Sequence, residues 1–120
     1  MDPLSSPVPP RPQRRRFPRY RTNLPLRVRN SQDRDIDGSC IVIAEGGLGG
    51  ILPEAIPVGS VVQLRLALPT HPTLFQVWAV VRCQLDFHHG FEFVSLTDAE
   101  RLSVREFCNR LATQLAAGEV

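Results

Sequence analysis

From residue 25 to residue 94 apolar and polar side chains alternate mostly with period two, and only near the C-terminus does the pattern change to a helical spacing. Pro25, Leu26 and Val28 predict a short first strand, with structure starting after Arg19, and the polar run NSQDRDIDG at 30–38 reads as a turn or loop. In Ser39–Leu52 two apolar runs flank Glu45, Gly46 and Gly47, the pattern of a tight hairpin whose turn is expected to use positive φ. Pro53, Pro57 and Gly59 mark a connecting loop. Val62, Leu64, Leu66 and Leu68 then alternate with Val61, Gln63, Arg65 and Ala67, a strand with one buried face that Pro69 and Pro72 end.

The next strand is longer, running from Leu74 to about Leu85. Phe75, Val77, Ala79, Val81 and Cys83 alternate with Gln76, Trp78, Val80, Arg82 and Gln84. A turn at Asp86–His89 returns it through GFEFV. Thr97 then starts a helix: its hydroxyl can cap the first turn while Glu100, three residues on, reaches back as the second half of a capping box. Leu102, Val104, Phe107, Cys108, Leu111 and Leu115 are expected along one face. The fold class is therefore all-β, about six short antiparallel strands followed by one C-terminal α-helix. Both alternation sets of the Phe75 strand are fairly apolar, so closure into a barrel, with the helix over one opening, buries more than an open sheet would.

Composition sets the limits of the folded unit. The opening MDPLSSPVPPRPQ is too rich in proline and serine for a core, so residues 1–13 are expected to be a disordered tail, 14–116 the domain and 117–120 a second tail. Roughly a hundred foldable residues bury somewhat over 60% of their unfolded surface, enough for a core without disulfides. Cys40, Cys83 and Cys108 are odd in number and widely spaced, which suits a reducing compartment; with no signal peptide or membrane-length apolar run, the expected location is the cytoplasm.

Charge is distributed unevenly. Residues 1–30 hold eight arginines against the single acid Asp2, residues 31–120 hold six arginines against eleven acids, and the chain has no lysine. Guanidinium groups grip phosphates through paired hydrogen bonds and stack on flat rings. The opening segment is thus suited to an anionic ligand. An arm of this kind also attracts nucleic acid, but the acidic body and the scarcity of aromatic platforms beyond Trp78 argue against that use. His71, His88, His89 and the cysteines lack the short loop spacing of zinc sites, so no metal is expected. Cys108 falls on the apolar helix face, where a thiol is inert, and no catalytic constellation is present; the chain is expected not to be an enzyme.

Three stretches together resemble the PilZ family. RRRFPRYRTNLPLRVR at 14–29 is similar to the family's RxxxR segment before the first strand, with Arg15 and Arg19 as its two arginines. GSCIVIAEGGLGGI at 38–51 stands where the family has a D/N-x-S-x-x-G hairpin. HHGFEFVSLTDAERLSVREF at 88–107 resembles its last strand and following helix, and PVGSVVQLRLALP at 57–69 fits between them. The resemblance implies a six-stranded PilZ-type barrel that binds the bacterial second messenger cyclic di-GMP, with no other cofactor. It implies Arg15, Arg19 and Gly47 as ligand contacts, with the adjoining Arg14 and Arg16 adding positive charge. With Gly47 as the motif's last glycine, Val42 stands where the family has Asp or Asn and Ala44 where it has Ser, so two polar readers of a guanine edge are missing. At ~1–3 kcal/mol per lost contact, affinity falls roughly a hundredfold or more. The expected function is a receptor or adaptor that relays cyclic di-GMP level to an unknown effector protein, without membrane insertion. The alternative is a degenerate module that no longer binds the nucleotide and docks a protein, with Trp78 and Val80 as an outward apolar patch.

Overall fold

The computed structural model describes residues 17–118, so Arg14, Arg15, Arg16 and the predicted tail 1–13 lie outside the described residues. The alternating segments form six strands: β1 (Tyr20–Arg29), β2 (Asp35–Ala44), β3 (Gly47–Ile51), β4 (Val61–Leu66), β5 (Phe75–Leu85) and β6 (His88–Val94). They close into an antiparallel barrel in the order β1-β2-β3-β6-β5-β4, with β4 returning to β1. Closure leaves few sheet edges to protect. Leu26, Val28, Ile43, Val62, Leu64, Phe75 and Val81 are among the side chains that fill it, each 2% exposed or less. Burial of each large apolar side chain contributes about 1.5–3 kcal/mol before conformational entropy is set against it.

Several local expectations are corrected by the barrel. The first strand begins at Tyr20, well before Pro25. Inward and outward places alternate unbroken along it, but the inward Tyr20, Thr22 and Leu24 are only half-buried and Thr22 is polar, so the stretch lacks an apolar signature; Thr22 and Asn23 face Ile41 across a bulge. The polar run at 30–38 is only half a loop. Asp35 and Asp37 sit on β2 opposite Arg29 and Arg27, with ion pairs at 2.9 and 2.7 Å on the outer surface, while Ile36 between them is buried. The remaining turn is held by Asn30, whose Oδ1 accepts from the amides of Gln32 and Arg34. The β2–β3 turn, Glu45–Gly46, uses no positive φ; among the described residues that conformation falls at Asp33, Gly59, Asp86 and Ser95.

The Asp86–His89 turn shrinks to Asp86 and Phe87, and both histidines belong to β6. His89 is buried at 3% exposure, not set in a wet turn: its Nε2 accepts the Ile56 amide at 2.9 Å and its Nδ1 lies 2.9 Å from the Phe87 carbonyl oxygen. The loop after β3 thereby crosses the barrel end away from the helix, with Leu52 and Ile56 buried. Cys83, expected on the core face, is exposed, because a bulge between Val81 and Cys83 puts Arg82 out of register and reverses the alternation.

The helix α1 (Asp98–Gly118) starts with the predicted box: the Thr97 amide donates to Glu100 Oε1 at 2.9 Å and the Glu100 amide to Thr97 Oγ1 at 3.1 Å. It lies across the barrel end at which β1 enters. Val104, Phe107 and Cys108 are buried with Leu111 packed beside them, and Ser103 meets the β4–β5 loop, its carbonyl accepting from Thr70 Oγ1 at 2.5 Å and its Oγ 2.7 Å from His71 Nδ1. Leu102 and Leu115 are 50% and 61% exposed, Leu102 because it is about 200° around the helix from Val104. The helix continues to Gly118, so the boundary expected at 116 falls inside its last turn. Among the described residues no helix is long and apolar enough to cross a membrane.

Candidate ligand site on the β2–β3 hairpin

Strand β2 bulges at Ile41: Cys40 faces Gly50 and Val42 faces Gly49, so one extra residue is accommodated on β2. Past the bulge Ile43 points into the core and Val42 and Ala44 take the outward positions, paired with Gly49 and Gly47. Cys40 stays inside. Burial pushes its thiol up to about 12, and that of Cys108 up to about 11, so neither is a nucleophile near neutral pH.

The chain enters the barrel over this hairpin. Phe17 lies against Gly46, its ring 3.2 Å from the place a Cβ would take there, and Arg19 reaches further along, its Nη2 3.8 Å from the Cβ position of Gly49. Val42 Cγ1 is only 2.6 Å from that same position, so arginine, valine and glycine share one spot on the outer wall. Arg21, opposite Val42 on β1 and exposed, brings a second guanidinium to the same side. The hairpin is tied to the end of the barrel by Glu45, 3.4 Å from Arg105 of α1.

Of the predicted residues, the structure brings together Arg19, Val42, Ala44 and Gly47; Arg14, Arg15 and Arg16 lie outside the described residues. Gly47 is constrained by the strand behind it, since a Cβ there would collide with the Phe91 carbonyl oxygen on β6. Two residues of the site were not among the expected contacts, Gly49 being read from the sequence as turn or bulge geometry. Gly49 had a usable signal, a glycine inside a strand where close approach is the common reason. Arg21 had none, because only the bulge in β1 makes it a neighbour of Val42. Among the described residues no three His, Cys, Asp or Glu side chains gather as a metal site.

A closed six-stranded barrel, capped by a helix and crossed on one hairpin by an incoming arginine, defines a small β-barrel module whose site lies on its outer wall. The chain belongs to the PilZ family: the PilZ domain matches residues 13–110. No curated protein matches it by sequence. Among solved structures it is similar to the inhibitor of motility MotI/DgrA of Bacillus subtilis, at 22% identity and a TM-score of 0.71, over 91% of this chain and 57% of that one. It is also similar to the PilZ domain of YcgR from Escherichia coli, determined with c-di-GMP, at 15% identity and a TM-score of 0.70, over 90% of this chain and 100% of that one. The PilZ domain of CeSA from a cellulose-synthesizing bacterium matches at 16% identity and a TM-score of 0.60, over 73% of this chain and 91% of that one. At these identities the likeness is one of fold, and the chain spans a little over half the length of the motility inhibitor.

Proposed function

We propose that this chain is a cyclic di-GMP receptor or adaptor of the PilZ type, acting in the cytoplasm without catalysing a reaction and passing the signal to an effector protein through surface contacts. The observation that carries the reading is the position of Arg19, on the segment entering the barrel, with its guanidinium over the Val42–Gly49 pair of the hairpin. A guanidinium there can fork onto a phosphate or onto the N7 and O6 acceptors of a guanine. Arg15, four residues upstream, supplies the second arginine of the RxxxR pair, with Arg14 and Arg16 adding charge. A PilZ domain of similar fold has been determined with c-di-GMP, which supports the ligand class.

Val42 and Ala44 favour a second reading, a module that has given up the nucleotide. Val42 covers the Gly49 backbone with a methyl group at the position where a carboxylate or amide would read a base, leaving the site with cations and no polar partner on β2. Calorimetric titration with cyclic di-GMP at low salt separates the two. The receptor reading expects heat at micromolar to high-micromolar ligand that disappears in Arg15→Ala and Arg19→Ala; no heat in the unaltered protein leaves the adaptor.

A further inference from the structure

The wall formed by β1, β4 and β5 carries a groove. Strands β1 and β4 pair only from Arg27 opposite Arg65 to Arg29 opposite Gln63. Pro25 has no N–H with which to extend the ladder, and the strands part there around a groove of about 450 Å³ lined by Pro25, Arg27, Arg65, Ala67 and Leu74 among others. Two arginines face each other at its edge. Arg27 is occupied, its Nε and Nη2 donating to the two oxygens of Asp37 at 2.7 and 3.3 Å, and Asp35 is likewise taken by Arg29. Arg65 has no ion pair among the described residues, and its Nε is buried without an acceptor. A buried donor left unmatched is uncommon in a folded protein and marks a place where an acceptor is missing.

The surface beside that donor is apolar and aromatic. Gln76 stands opposite Arg65 and Trp78 opposite Gln63, and Leu74 and Trp78 are 54% and 53% exposed on either side of Gln76. At ~3.3 Å per residue the two anchors lie about 13 Å apart along the strand. An exposed Trp and a half-buried Arg with the amides of Gln63 and Gln76 beside them is the composition of an interface centre. The spacing exceeds the reach of a small organic acid and matches four extended residues of a polypeptide.

We propose that this face docks a segment of a partner protein, which sets an acidic side chain on Arg65 and apolar side chains against Leu74 and Trp78. The charge is complementary: Arg27 and Arg65 exceed Asp37 by one positive charge at the groove, and a carboxylate there meets the guanidinium of Arg65, which has no ion pair among the described residues. The groove reaches Asp37 and Gly38 of β2, but none of its lining residues belongs to the Arg19, Val42 and Gly49 cluster, so the docking proposed does not depend on nucleotide binding there.

Selection of random phage-displayed dodecapeptides on the immobilised full chain, followed by fluorescence anisotropy with the synthetic winners, tests this. Enriched peptides carry Asp or Glu beside Leu, Phe or Trp, and their Kd rises at least tenfold in Arg65→Ala, in Trp78→Ala, and when the peptide's acid is changed to its amide. Both protein substitutions are on the outer surface, and far-UV circular dichroism confirms that each variant is folded. Winners without an acid, winners that bind folded Arg65→Ala as tightly as the parent, or full displacement by millimolar free glutamate overturn the proposal. Cyclic di-GMP binding is read separately by calorimetry, so its failure leaves this result standing.

Discussion

Arg19 and Gly49 are thirty residues apart in sequence, yet the guanidinium of the first lies 3.8 Å from where a side chain on the second would begin. Val42 shares that place, its Cγ1 2.6 Å from the same point, which makes it the position at which the proposed nucleotide binding is tested. The double substitution Val42→Asp with Ala44→Ser restores two polar groups beside Arg19, and calorimetry is expected to show cyclic di-GMP binding at least tenfold tighter, about 1.4 kcal/mol or more. Unchanged or weaker binding would remove the nucleotide from the site.

Gly47 is held by β6. A methyl group there meets the Phe91 carbonyl oxygen, and backbone in a closed barrel has little room to give. Gly47→Ala is expected to lose about 1–3 kcal/mol of stability by urea denaturation, the usual range for overpacking. Loss of ligand affinity with full stability would instead make Gly47 a contact residue.

His89 makes the fold sensitive to mild acid. Burial holds its imidazole below the ordinary 6.5, and Nε2 must stay unprotonated to accept the Ile56 amide. The unfolded chain therefore takes up a proton first as pH falls, so this contribution to stability is fully present above about 6.5 and is lost progressively from there down to the folded-state value. Urea midpoints at pH 7.5 and 5.5 should drop in the parent more than in His89→Gln, whose amide oxygen accepts without titrating. Equal drops would assign the effect to other groups.

The capping box anchors the helix that covers the barrel end. Thr97→Ala removes the acceptor of the Glu100 amide and is expected to cost about 1 kcal/mol, read from thermal or urea melts. A change within a few tenths would show that packing of Val104 and Phe107 holds the first turn unaided.

Much of this architecture was legible in the chain because it depends on local periodicity. The alternation of Val62, Leu64 and Leu66 is a strand in any setting, Thr97 and Glu100 are three residues apart as the cap requires, and the apolar character of both faces of β5 called for a closed barrel. The polar and glycine patterns that resemble PilZ also identified Arg19 and the hairpin. Where bulges shift the register, reading failed: Cys83 was turned outward and Arg21 was not seen beside Val42, while Tyr20–Leu24 keeps its alternation but is too polar to stand out as a strand. A strand of fixed period-two geometry reports its facing in the sequence, whereas one extra residue reverses that facing without leaving a mark. The burial of His89, the collision that reserves position 47 for glycine and the unmatched Arg65 between β1 and β4 came only with tertiary structure, since each is defined by a strand or loop distant along the chain.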